Sequence, residues 1–168
     1  NLASRLHENQ GDHDTAIRYL SEVVRVWKEQ PNLVTDSAVR LAKLLDKTSK
    51  SQDGIDVLDN LLKAELSPNN INKIYKAKSE IAINGKLSEE AIKSLSYLIE
   101  KNTDKNLAEE KYRLGDLYFQ KGEMKKAENV WSSFADNDDQ FWSKLAGEKM
   151  QSAKWQDEYK KYLKRIRS

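Results

Sequence analysis

The sequence predicts an all-α protein: a solenoid of about five helix–turn–helix repeats ending in a C-terminal capping helix. Three observations lead there. First, four segments share one ending: GDHDTAIRYLSEVV (11–24), SQDGIDVLDNLL (51–62), GKLSEEAIKSLSYLI (85–99) and GEMKKAENVWSSF (122–134). Their small residues Ala16, Gly54, Ala91 and Ala127 stand 38, 37 and 36 residues apart, enough for two short helices and two turns. Second, apolar residues recur with a helical period: Ala127, Val130, Trp131 and Phe134 fall on one helix face, as do Leu114, Leu117 and Tyr118. Third, helix breakers are scarce, with 6 Gly and 2 Pro, and 33% of the residues are charged, which suits well-solvated helices around a thin core.

Ten helices follow, over 1–9, 12–29, 33–47, 51–65, 69–83, 87–101, 104–120, 123–135, 138–150 and 153–167. The first carries Leu2 and Leu6. The second starts after Gly11 and stops before Pro31. Leu41, Ala42 and Leu45 form the inner face of the third, and Gly54, Leu58 and Leu61 that of the fourth. Ser67-Pro68-Asn69-Asn70 breaks the chain and opens the fifth; Ser88 with Glu89 and Glu90 opens the sixth. In the seventh, Gly115 costs roughly 0.5–1 kcal/mol against alanine, a cost tolerated where another helix approaches closely. Gly122 stands where that helix must stop and a positive φ is cheapest as glycine. Ala127 lets the eighth helix lie close to the seventh. The acidic run from Asp136 to Asp139 opens the ninth, with Trp142, Leu145 and Ala146 inward. The tenth, around WQDEYKKYLKRI, has no small marker residue and caps the array. Trp131, Phe134, Trp142 and Trp155 are expected in the core.

No linker divides the chain, so 1–168 reads as one repeat domain. It begins at Asn1, with a helical pattern already running at Leu2, and is expected to be the C-terminal part of a longer protein that stacks on upstream repeats. A net charge of +2 argues against nucleic-acid binding. With no cysteine, disulfides, thiolate metal sites and cysteine nucleophiles are excluded. No apolar run approaches the ~18 residues of a membrane span. The compartment, cytoplasmic or periplasmic, stays open.

These residues resemble tetratricopeptide repeats, helix–turn–helix units of about 34 residues. In the fourth repeat Leu114, Gly115, Tyr118, Gly122, Ala127, Trp131 and Phe134 match the family pattern. Leu41, Ala42, Leu45, Gly54, Leu58 and Leu61 match in the second repeat, and Ser79, Ala82, Ala91, Leu95 and Leu98 in the third, where Gly85 comes one position early. Sel1-like repeats share much of this pattern. The resemblance implies a right-handed superhelix whose first helices line a concave groove. It also implies a non-enzymatic scaffold that binds a peptide segment or a partner subunit. The alternative is a regulatory or positioning domain of a larger enzyme or envelope complex.

By the same analogy the groove carries Arg40, Lys43 and Lys47 from the second repeat, Lys73, Lys76 and Glu80 from the third, and Tyr112, Asp116 and Phe119 from the fourth. Basic residues at one end and aromatic ones at the other suit an acidic–hydrophobic segment. Co-chaperone members of the family clamp a terminal carboxylate. Arg40 and Lys73 stand near clamp positions, but Asn1, Arg5 and Ala77 break that pattern in one frame and Val39, Ala77 and Glu109 in the next, so no chaperone-tail clamp is expected.

No cofactor is expected. His7 and His13, the two histidines, lack partners at ligand or acid–base spacing. Asp136, Asp138 and Asp139, like Glu109 and Glu110, read as helix N-terminal acids, because an EF-hand loop needs a central glycine and a final glutamate that ADNDDQFW lacks. Lys160, Lys161, Lys164, Arg165 and Arg167 line the last helix opposite Tyr159, Tyr162, Leu163 and Ile166. This reads as a capping helix with cations favoured at its C-terminus, the alternative being a basic amphipathic helix that touches phosphate or anionic lipid.

Overall fold

The turn inside each of the first four repeats closes on a residue in the left-handed conformation: Gly11 (φ 77°), Ser49 (φ 62°), Lys86 (φ 57°) and Gly122 (φ 77°). Each precedes the small marker residue by five positions, so the turns recur at the same intervals of 38, 37 and 36. At three of them the next N–H reaches back five residues, Lys50 to Leu45 O, Leu87 to Ala82 O and Glu123 to Tyr118 O at 2.8–2.9 Å. That is a Schellman closure, which satisfies carbonyls the helix end leaves open. Gly85, which reads from sequence as the turn glycine, has φ −76° and is the residue before the left-handed one.

The structure, a computed structural model, describes residues 11–26, 28–102, 106–134 and 139–166, the side chains of 157 and 160 excepted. Among these lie eight helices: α1 His13–Val26, α2 Pro31–Lys47, α3 Ser51–Leu61, α4 Pro68–Asn84, α5 Ser88–Lys101, α6 Ala108–Gln120, α7 Met124–Trp131 and α8 Gln140–Ile166. The predicted helix over 1–9, with Leu2, Leu6 and His7, lies outside the described residues, as do Asp136, Asp138 and Arg167. Pro31 and Pro68 are first-turn residues rather than stops, because proline has no N–H to lose there and its φ is already helical. Asp12 Oδ1 accepts from Thr15 N (3.1 Å), and Asp139 Oδ1 from Phe141 N (2.8 Å), each satisfying an open donor at a helix start.

The chain divides into two compact units, Asn1–Ser94 and Leu95–Ser168, with the boundary inside α5. In the first, α2 packs on α1, α3 and α4, and α3 on α4. Its core includes Ala16, Leu20, Leu41, Leu44 and Leu45, all buried. Gly54 of α3 lies against α2 so closely that a Cβ would stand 2.7 Å from the Ala42 carbonyl oxygen. In the second unit α6, α7 and α8 pack on one another around Ala127, Trp131 and Ala146.

Two expectations about the C-terminus are corrected. The segments 138–150 and 153–167 are one helix, α8, because Met150-Gln151-Ser152-Ala153 contains no breaker and Gly147 alone does not end a helix. Trp155, expected in the core, is 64% exposed. In an unbroken helix it follows buried Ala146 by nine residues, about two and a half turns, and so emerges on the opposite side. Trp131 is buried as expected, and Phe134 and Trp142 are half-buried.

Candidate functional site

Helices α2 and α4 open consecutive repeats, and the repeat length sets their side chains opposite one another. Asn32 Oδ1 accepts from Asn70 Nδ2 and Ser67 N, both at 2.9 Å. Lys73 Nζ pairs with Asp36 Oδ1 at 2.9 Å, and Lys43 Nζ with Glu80 Oε2 at 2.5 Å. Asp46 takes Asn84 Nδ2 (2.9 Å) and Ser51 Oγ (2.7 Å). The α2–α4 rungs join residues 35 to 38 apart, one repeat. Exposed ion pairs contribute under about 1 kcal/mol each, so the ladder sets register more than stability.

Six of the nine predicted groove residues stand on or beside this ladder. Arg40, Lys43 and Lys47 share a face of α2, while Lys73, Lys76 and Glu80 share one of α4. Lys43 and Lys73 are thus tied by anions from the neighbouring helix. Together with Asp36 and Asp46, this face holds five cations against three anions. Asp36, Asn32 and Asp46 escaped the sequence reading. For Asp36 the signal was opposite charge at one repeat's spacing from Lys73, whereas Asn32 and Asp46 meet uncharged partners and carried no such signal.

The other three, Tyr112, Asp116 and Phe119, belong to the second unit and line the seam between α6 and α8. The Tyr112 ring lies 5.3 Å from Trp142 and 6.5 Å from Trp131, and the Phe119 ring lies 6.0 Å from Trp131. From α8, Lys149 places Nζ 2.9 Å from Asp116 Oδ1 and 5.5 Å above the Phe119 ring. The bond to Asp116 raises the Lys149 ammonium above its ordinary value of 10.5. Gln120 Nε2 donates to the other Asp116 oxygen at 2.7 Å. All three residues are half-buried, with part of each surface in solvent. Tyr112 and Phe119, expected on the groove, also pack against the core, because Trp131 is large enough to reach both rings.

A further polar group was missed entirely. Lys78 takes the repeat position held by Leu41 and Leu114 elsewhere and is 1% exposed. Its ammonium pairs with Asp59 of α3 and lies 3.3 Å from Glu90 Oε2 of α5, outside hydrogen-bonding geometry. Ser94 Oγ is also buried without a hydrogen-bond partner. A lysine in a leucine row had no local signature. His13 sits half-buried in the first turn of α1. Among the described residues, no group of three or more His, Asp or Glu side chains is placed to hold a metal ion, and no helix is long and apolar enough to cross a membrane.

A crystal structure of MamA is similar over 77% of this chain and 70% of that one, at 24% identity and a TM-score of 0.59. A Podosopora anserina putative kinesin light chain with nearly identical TPR-like repeats is similar over 98% of this chain and 90% of that one, at 13% identity and a TM-score of 0.63. A variant of that protein gives the same figures. No family model matches the chain, and no curated protein matches it. The likenesses show the fold: an all-α solenoid of tetratricopeptide-like helical hairpins.

Proposed function

We propose that this chain is a non-enzymatic interaction scaffold and that the α2–α4 face takes an acidic segment of a protein partner. One observation carries the reading. The ladder holds two first helices side by side and leaves their shared face with five cations against three anions. Charge of one sign on a preformed face speeds encounter with the opposite sign and selects among partners. Repeat proteins bind extended segments on surfaces of this kind, an argument from the class of fold. Tyr112, Asp116 and Phe119 enter as a second contact region, used through whatever surface the α6–α8 seam leaves open.

The test is fluorescence anisotropy with a labelled peptide of alternating Glu and Leu. The parent chain is compared with Lys47→Glu/Lys76→Glu and with a control, Lys164→Glu/Arg165→Glu, after all three are shown to melt cooperatively. The expected result is salt-sensitive binding, weakened about tenfold or more in the α2–α4 variant and unchanged in the control. Equal affinity for parent and α2–α4 variant rejects the face.

A further inference from the structure

The C-terminal half of α8 presents an apolar stripe to solvent. Trp155, Tyr159, Tyr162 and Ile166 are spaced i, i+4, i+7 and i+11, so they fall on one helix face, and they are 64, 49, 59 and 61% exposed. The Trp155 and Tyr159 rings stack at 5.5 Å and 2°. The face that packs on α6 and α7 bears Trp142, Ala146, Lys149 and Met150 and lies on the other side of the same helix. Capping the array therefore does not account for these four side chains. Over residues 154–166 the sequence has five cations, Lys154, Lys160, Lys161, Lys164 and Arg165, against Asp157 and Glu158.

We propose that this half of α8 docks on an anionic lipid surface, lying in the interface with the stripe inserted among the acyl chains and the cations among the headgroups. Two arguments choose this occupant. The first is charge. Pairing with a second copy of the chain would bring two basic segments together, which costs energy, whereas an anionic surface matches them. The second is area. The stripe is one convex helix face about 17 Å long, at 1.5 Å per residue. A few half-exposed side chains fall well short of the roughly 800 Å² that each partner gives to a stable protein interface. A bilayer surface, in contrast, accepts a single amphipathic helix with aromatic residues on one side and Lys or Arg on the other. The stem carbons of lysine and arginine reach past the stripe while their charges stay at the headgroups.

The experiment is co-sedimentation of the full chain with large vesicles, of phosphatidylcholine alone and of phosphatidylcholine with an equal part of phosphatidylglycerol. The expected result is at least tenfold stronger partitioning onto the anionic vesicles, abolished by high salt. Trp155→Ser/Tyr162→Ser should lose most of that binding. Lys161→Glu/Lys164→Glu, which leaves the stripe intact, should lose it as well. Circular dichroism checks that each variant keeps its helix, and either one suffices as the probe. Absence of binding to both vesicles, equal binding to both, or parental binding by a folded variant overturns the proposal. So does a concentration-dependent dimer, in sedimentation equilibrium, that Trp155→Ser/Tyr162→Ser abolishes. The α2–α4 face is unaltered in these variants, so its own test stands or fails separately.

Discussion

Gly115 of α6 lies against the indole of Trp131 from α7: a Cβ at position 115 would stand 2.2 Å from Nε1. Trp131 Nε1 donates to the Tyr112 carbonyl oxygen at 3.2 Å, one turn before Gly115. The other repeats carry leucine at the Trp131 position, Leu20, Leu58 and Leu95, all buried. Ala42 and Ser79 take the Gly115 position in the second and third repeats. The largest side chain thus stands with the smallest partner, as dense packing requires.

Gly115→Ala is expected to destabilise the chain by about 1–3 kcal/mol, because overpacking outweighs the roughly 0.5–1 kcal/mol that alanine adds to a helix. In a Trp131→Leu background the same change should be neutral or mildly stabilising. Urea unfolding of the four proteins gives the coupling; additive effects would reject the contact as the reason for the glycine.

Ser49 and Lys86 hold a left-handed conformation that costs an L-residue about 1–2 kcal/mol. Glycine relieves this but loses more chain entropy on folding, roughly 0.5–1 kcal/mol. Ser49→Gly and Lys86→Gly should each stabilise by up to about 1 kcal/mol, and Gly122→Ala should destabilise by a similar amount. Thermal melts decide the signs.

Lys78 tests whether the buried ion pair stabilises or only specifies. The Asp59 and Glu90 side chains are 40 and 31% exposed, so water screens both carboxylates once the lysine is removed, although Glu90 Oε2 itself is buried. Lys78→Leu, the residue of the other repeats, should fall within about 1 kcal/mol of the parent or exceed it. Asp59→Asn should cost roughly 1–3 kcal/mol, a value reduced for solvent screening, since it leaves the ammonium buried with one poorly aligned partner.

The Asp116–Lys149 pair carries a pH signature. The Lys149 pKa is raised in the folded chain, so its stabilisation is fully present below the ordinary value of 10.5 and is lost as pH rises through the raised one. A parent chain more stable than Lys149→Gln at pH 8 should lose that advantage once the pH passes the raised value. Chemical unfolding across that range measures it, and a pH-independent difference would point to the contact with Phe119 instead.

Opposite charges one repeat apart predict a swap. Asp36→Lys and Lys73→Asp should each cost under about 1 kcal/mol, and the double change should recover most of it. Melting curves at low salt check this; no recovery would mean that the rung is incidental.

The sequence by itself determined that the chain is a row of helical hairpins and where most of them turn. Those features follow from rules acting within one repeat: a 3.6-residue apolar period, small residues where helices cross, and a left-handed turn five residues before each. Gly122, Gly115 and Ala127 could be read directly for that reason. Even there, Ser49 and Lys86 were illegible, since nothing local requires a serine or lysine to adopt positive φ; the flanking helices impose it. Tertiary structure decided whatever depends on two faces meeting. It tied Lys43 to Glu80 and Lys73 to Asp36, enclosed Lys78 beside Asp59, and laid Tyr112 and Phe119 against Trp131. It also ran α8 through the expected turn and set Trp155 half a turn from Ala146, outside the core. Each of these outcomes is a choice among partners distant in the chain, and a local pattern holds no record of which partner arrives.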